Sequence, residues 1–98
     1  MQMKTTTADL TDFCLVLTPT LTAAERAGEA VRKRFTFLSD DTRTEVAATV
    51  ADLVESSVAR RPGGPITVSI ALDPDAIRGE VSDRRALVPF EFPLAPAV

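Results

Sequence analysis

The segment ITVSIALDPDAIRGEVSD, residues 66–83, constrains the fold more than any other part of the chain. Apolar residues alternate with small or polar ones on both sides of a turn-forming stretch around Pro74. Side chains of a strand point alternately to opposite faces, so each half would have one apolar and one polar face. The pattern therefore predicts a β-hairpin, with strands at 66–72 and 76–83, that is covered on one side only.

Asp83 is the charged residue on the apolar side of this hairpin. That side carries Ile66, Val68, Ile70 and Leu72 from the first strand, and Ile77, Gly79, Val81 and Asp83 from the second. A carboxylate that points under a covering layer needs a hydrogen-bond partner. An adenine amino group, a backbone N–H, Arg84 or Arg85 could serve, or Asp83 could end the strand exposed at the turn.

Two helices are predicted before the hairpin. The first, at about 22–37, begins with a capping box of Thr22 and Glu25, and its apolar residues recur at helical spacing. The second follows a cap at Ser39, Asp40 or Asp41 and ends at Pro62-Gly63-Gly64-Pro65. Its stripe consists of Val46, Val50, Leu53, Val54 and Ser57.

The remaining segments complete a single small domain. FCLVLT, residues 13–18, predicts a strand in which the thiol of Cys14 is buried. Residues 86–98 alternate apolar residues with three prolines, which predicts an edge strand or an extended arm. We expect a flexible segment at 1–11 and the domain proper at 12–85. The β-α-α-β-β order predicts an α/β two-layer sandwich, with two helices on one face of a small mixed or antiparallel sheet.

Composition excludes several kinds of function. The 98 residues suffice for one domain, and a net charge of −3 argues against a nucleic-acid partner. The pairs Arg60-Arg61 and Arg84-Arg85 are interpreted as exposed ends of elements. Without histidine, Ser-His-Asp catalysis and histidine metal sites are impossible, and one cysteine forms no internal disulfide. No stretch resembles a membrane span or a secretory signal, so we expect a cytoplasmic protein without a membrane partner.

Two short motifs suggest a family. DLVESSV, residues 52–58, and VSD, residues 81–83, stand in the order and at the spacing found in GHKL-type (histidine kinase-like) ATPase domains. The likeness spans roughly residues 12–83 and is similar to the variety found in bacterial anti-sigma factor serine kinases. The chain thus resembles a degenerate, C-terminally truncated member of that family.

The resemblance assigns roles to three residues. Asp52 stands where the family has the acidic residue that activates the attacking group, and is the one catalytic candidate. Ser56 replaces the asparagine that holds magnesium, and Asp83 matches the aspartate that receives the adenine amino group. Arg85 stands in place of a motif glycine, and the later Gly-rich lid has no counterpart. The resemblance thus implies an eroded nucleotide site with no metal site and no cofactor. Judged from spacing alone, Asp52 and Ser56 form a solvated i,i+4 pair.

Three functions follow as expectations. The first is a non-catalytic regulatory module that binds a protein partner, such as a sigma factor or an antagonist-like domain. The second is a residual ATP-binding protein or weak serine/threonine kinase that uses Asp52, Ser56 and Asp83 with ATP and magnesium. The third, compatible with the first, is a homodimer in which the Pro-rich tail of one subunit lies along the sheet edge of its neighbour.

Overall fold

The computed structural model describes residues 12–61 and 63–94. The elements are β1 (Phe13–Leu17), α1 (Ala23–Arg34), α2 (Asp40–Ala59), β2 (Ile66–Asp73), β3 (Ala76–Ser82) and β4 (Leu87–Pro93). The four strands form one sheet in the order β1-β2-β3-β4, and every neighbouring pair is antiparallel. The predicted order of elements is confirmed, and the sheet is antiparallel rather than mixed.

The strand register gathers the apolar side chains on one face of the sheet. Phe13, Ile70, Gly79 and Phe90 form one cross-strand row, and Leu15, Val68, Val81 and Val88 form the next. These rows pack against buried residues of both helices, among them Val31 of α1 and Val50 and Val54 of α2. The alternation of the hairpin therefore did predict which face is covered, and the helices cover that face.

The two helices start in different ways. At α2, Ser39 has an extended backbone and its Oγ accepts a hydrogen bond from the N–H of Thr42 at 3.2 Å, as a cap should. At α1, the predicted capping box is wrong, because the side chain of Thr22 makes no cap hydrogen bond. The backbone of Thr22 has φ −97° and ψ 2° instead of the extended conformation that directs a capping side chain.

Cys14 lies on the other face of the sheet. It pairs with Ser69 of β2 between the inward residues Phe13 and Leu15, and its thiol is exposed. The expectation of a buried thiol was wrong because β1 alternates between two environments, although all its residues are apolar. An edge strand with apolar residues on both faces therefore leaves some of them in water.

The C-terminal segment forms an edge strand, one of the two predicted alternatives. Residues 87–93 pair with β3 along its whole length, from Leu87 opposite Ser82 to Pro93 opposite Ala76. Pro89 and Pro93 are accommodated because an edge strand needs hydrogen bonds on one side only. The expected N-terminal segment 1–11 and residues 95–98 lie outside the described residues.

Gly79 lets β4 pack closely on β3. A Cβ atom on Gly79 would lie 2.5 Å from Cζ of Phe90 and 2.6 Å from the backbone oxygen of Ser69. Gly28 of α1 is less constrained, since a Cβ there would lie 3.5 Å from the backbone oxygen of Ala47 and 3.7 Å from Cβ of Ala51. Glycine is thus required by packing in the sheet but not in the helix pair.

Two substitutions test this difference. Gly79→Ala is expected to lower the free energy of unfolding by roughly 1–3 kcal/mol, because a backbone oxygen and an aromatic ring occupy the space that the methyl group needs. Gly28→Ala is expected to raise it by up to about 1 kcal/mol, because alanine favours the helix and meets only ordinary contacts. Urea denaturation measures both, and a Gly79→Ala protein as stable as the wild type would contradict the close approach.

Candidate functional site around Asp83

The carboxylate of Asp83 is enclosed by protein donors. Its side chain is 0% exposed. Oδ2 accepts hydrogen bonds from the hydroxyl of Ser57 and, at 2.9 Å, from the guanidinium of Arg60. Oδ1 accepts from the backbone N–H groups of Arg85 at 2.6 Å and Ala86 at 2.8 Å. Each oxygen therefore has two donors, which is sufficient to satisfy a buried carboxylate.

Local structure brings these donors together. Ser57 is fully buried on the inward side of α2, and Arg60 is the C-cap residue of the same helix. The turn after β3 is closed by the N–H of Asp83, which donates to the oxygen of Ala86 at 2.9 Å. The side chain of Asp83 closes the same turn as an acceptor, because its Oδ1 binds the N–H groups of Arg85 and Ala86. One side chain thus ties the end of α2 to the β3–β4 turn.

These contacts stabilise the charged form of the aspartate. The hydrogen bond from Ser57 contributes most to holding the pKa of the Asp83 carboxyl well below its usual range, and burial opposes it. The N–H groups of Arg85 and Ala86 and the guanidinium of Arg60 lower the pKa further. The carboxylate is therefore an ionised structural acceptor and, with such a low pKa, a poor general base.

Arg60 is the charged partner of Asp83. Burial of part of its guanidinium lowers the stability of the fold. Its side chain is 33% exposed, while its Nε is buried and has no hydrogen-bond partner among the described residues. A buried donor without an acceptor lowers stability. The ion pair with Asp83 is formed despite this cost, so the guanidinium is held inward rather than released to solvent.

The structure resolves the alternatives that the sequence left open for the environment of Asp83. The prediction that its carboxylate points under the helices is confirmed, and it is not exposed at the turn. Backbone N–H groups are among its partners, as one alternative proposed. The guanidinium that it binds belongs to Arg60, and Arg85 contributes its backbone instead of its side chain. An adenine contact for Asp83 stays a prediction.

The other two predicted residues lie elsewhere on α2. Asp52 and Ser56 are both exposed, whereas the next residue, Ser57, is buried against Asp83. Among the described residues, no hydrogen bond joins Asp52 or Ser56 to Asp83. Their proposed roles in catalysis and cofactor binding stay predictions, and the structure places them on a solvent-facing ridge of the helix.

The sequence reasoning missed Ser57 and Arg60. A signal for Ser57 was present, because it is the one polar residue in the apolar stripe of α2, as Asp83 is the one charged residue on the apolar side of the hairpin. Two polar groups directed into the same interior must find partners there, and pairing with each other is the simplest solution. Arg60 gave no comparable signal, since its contact depends on how the last turn of α2 approaches the sheet.

Outside the Asp83 site, the described chain has few features that suggest chemistry. A shallow cleft between the helices is lined by Ala24, Glu25, Gly28, Glu29, Arg32, Ala47, Ala48 and Ala51. Within residues 12–61 and 63–94, no group of three or more Cys, Asp or Glu side chains could hold a metal ion. Neither helix in this part of the chain combines the length and the apolarity that crossing a membrane requires.

Comparisons with protein-family models, curated proteins and solved structures found no significant match to this chain. The GHKL-like assignment therefore stays a prediction from the two short motifs.

The role of Asp83 predicts how stability depends on pH. The pKa of Asp83 is lower in the folded state than in the unfolded chain, where an aspartate has a pKa of about 3.9. The unfolded state therefore binds the proton first as the pH falls, and the stabilisation by Asp83 is lost progressively below about pH 5. Chemical denaturation at a series of pH values measures this loss.

Asp83→Asn is the matched variant. It is expected to lower the free energy of unfolding at neutral pH by about 2 kcal/mol or more, because asparagine lacks the charge and the second acceptor oxygen. Its stability should also depend less on pH in the acid range. Asp52→Asn, an exposed substitution on α2, is the control and should change neither the stability at neutral pH nor its dependence on pH. Equal effects of the two substitutions would contradict the structural role of Asp83.

Proposed function

We propose that this chain is a non-catalytic regulatory module that binds a protein partner, of the kind exemplified by a sigma factor or an antagonist-like domain. The occupied carboxylate of Asp83 carries the proposal. In the GHKL-like reading, Asp83 would recognise the adenine amino group, but both of its oxygens already accept hydrogen bonds from protein donors. A nucleotide would have to displace or share bonds that hold α2 to the sheet.

The exposure of Asp52 and Ser56 adds support. Phosphoryl transfer depends on positioned groups and bound metal that stabilise charge in a site protected from water. Asp52 and Ser56 lie in solvent, apart from the Asp83 cluster. A binding role requires none of that positioning, so the arrangement favours binding over catalysis.

The uncovered face of the sheet offers surface for a partner. Both helices pack on the opposite face, and the outer face carries Val16 and Leu87 at the two ends of one cross-strand row. Their side chains are 61% and 56% exposed. Thr67 and Ser82 separate these two residues, so the face offers open area for a partner rather than a contiguous apolar patch.

Nucleotide titration tests the proposal against the enzymatic alternative. Adding ATP with magnesium is expected to leave the melting temperature unchanged, since a ligand that binds only the folded state must raise it. Differential scanning fluorimetry measures the melting temperature, and the controls are ADP alone and magnesium alone. A saturable rise in melting temperature that Asp83→Ala or Ser56→Ala abolishes would contradict the proposal and favour the residual kinase.

Affinity capture from the native cell extract tests the partner. A sigma factor or an antagonist-like domain is expected among the proteins retained, and both should be absent from a mock column. Recovery of neither class under conditions in which the bait is folded would contradict a role in partner switching.

A second candidate, self-association, is favoured by the difference between the two sheet edges. The edge strand β4 contains Pro89, Pro93 and Glu91, which disfavour pairing with a further strand. Outermost β1 has no proline and no charge, and among the described residues no strand pairs with its outer edge. Antiparallel pairing of β1 with its copy would bring no like charges together. The expected use of the tail as an exchanged arm is not supported for residues 87–93, which pair within the chain.

Val16→Lys tests this homodimer. Val16 is exposed on β1, so a lysine there should leave the core intact while placing like charges across a β1–β1 pair. Light scattering with size-exclusion chromatography is expected to show a dimer for the wild type and a monomer for the variant. Leu87→Lys, in the same row at the opposite edge, should remain dimeric. A monomeric wild type, or equal dissociation by both lysines, would contradict pairing through β1.

A further inference from the structure

Two arginine pairs that are distant in the sequence meet at one end of the fold. Arg60 and Arg61 follow the last turn of α2, and Arg84 and Arg85 lie in the β3–β4 turn. Asp83 joins them, because it accepts from the guanidinium of Arg60 and from the backbone of Arg85. The side chain of Arg84 also crosses the loop after α2. We call these four residues the arginine patch.

The loop after α2 contains a glycine where Arg84 passes. A Cβ atom on Gly64 would lie 2.7 Å from Nε and 3.0 Å from Cδ of Arg84. The guanidinium end of Arg84 therefore lies against Gly64, in the segment that leaves α2. This approach, together with the Asp83 contacts, places the two arginine pairs at the same end of the fold.

The patch carries more positive charge than its surroundings balance. Arg61, Arg84 and Arg85 are exposed, and none of the three has an ion pair with another described residue. Within residues 12–61 and 63–94, the one carboxylate paired with the patch is that of Asp83, whose side chain is inaccessible to solvent. A local excess of positive charge is thus maintained in a chain whose net charge is −3. Such a grouping costs repulsion and favours an external anion.

Backbone hydrogen bonds lie beneath both halves of the patch. The N–H of Arg61 donates to the oxygen of Val58 at 3.0 Å, and Arg61 itself has a φ of 53°. On the other side, the turn that carries Arg84 and Arg85 is closed by the side chain and the backbone of Asp83. The turn that carries Arg84 and Arg85 is thus held by hydrogen bonds before a ligand binds, which reduces the entropy cost of binding there.

We propose that the arginine patch binds an acidic segment of the partner protein, through glutamate or aspartate side chains. Guanidinium groups suit this chemistry, because their planar donors match the two oxygens of a carboxylate. The inference rests on the proposed function in one respect: it specifies where and by which chemistry the partner of the module is held.

The charges on the rest of the chain favour a short acidic segment over a nucleic acid. The exposed ridge of α2 carries acidic residues along most of its length: Asp41, Glu45, Asp52 and Glu55. An extended phosphate backbone that crossed the patch would meet repulsion from this ridge and from the net negative charge. A short peptide contacts the patch alone.

Fluorescence anisotropy with a labelled oligo-glutamate peptide tests the proposal. The wild type is expected to bind this peptide at low ionic strength, more tightly than a labelled oligo-lysine peptide or single-stranded DNA of equal length. Arg84→Gln combined with Arg85→Gln should weaken binding about five- to tenfold, from the loss of two exposed ion pairs. Arg60 stays unchanged because it holds Asp83. Arg26→Gln with Lys33→Gln on α1 makes the same change in net charge and is the control.

The outcomes separate this inference from the proposed function. Weakening by the turn variant but not by the α1 control supports the patch. Equal weakening by both variants, no binding by the wild type, or tighter binding of DNA than of oligo-glutamate would overturn it. If the variant with Arg84→Gln and Arg85→Gln captures the cellular partner as well as the wild type does, the role of the arginine patch is refuted. The proposal that the chain is a protein-binding module would then still stand. A saturable response to ATP with magnesium would refute the module, whatever the peptide result.

Discussion

The Asp83 carboxylate is the polar contact on which the arrangement of the two layers depends. The helices also meet the sheet through apolar side chains such as Val31, Val50 and Val68, whose packing favours burial without fixing direction. The bonds from Asp83 to Ser57 and Arg60 are directional and join the end of α2 to the turn after β3. Apolar packing thus provides the core, and the ionised side chain of Asp83 fixes how the end of α2 is held to the turn after β3.

The same contact shapes what the molecule can do. A carboxylate that has four protein donors and a pKa below its usual range is committed to structure. Three of the arginines around it, Arg61, Arg84 and Arg85, are however exposed and have no ion pair with another described residue. Both proposals therefore have one physical origin. In both, an interior anion organises a basic end of the fold, and we propose that this end holds an acidic partner.

Much of the fold was predictable because alternation is a local property. The hairpin, its covered face and the order of elements followed from residues 66–83 and from the helical stripes. The wrong predictions arose where one local sequence pattern is compatible with two different structures. Thr22 has the residue type of a cap without the backbone conformation, and Cys14 is apolar on a strand whose outer side meets water. Neither outcome is encoded in residue type alone.

The site was less predictable than the fold. The inward direction of Asp83 followed from strand alternation, but its partners depend on the register between α2 and the sheet, which no short pattern specifies. Ser57 could have been found by matching the polar exceptions on two apolar faces. The contact between Arg60 and Asp83, which are 23 positions apart, depends on the three-dimensional packing of the last helical turn.

The most direct test of this account is the carboxyl carbon signal of Asp83 in nuclear magnetic resonance, followed as a function of pH with and without ATP and magnesium. The account predicts that Asp83 titrates far below an ordinary aspartate and that the nucleotide changes neither its chemical shift nor its pKa. An ordinary pKa would contradict the enclosed carboxylate, and a saturable nucleotide-dependent shift would show that Asp83 remains available to a ligand.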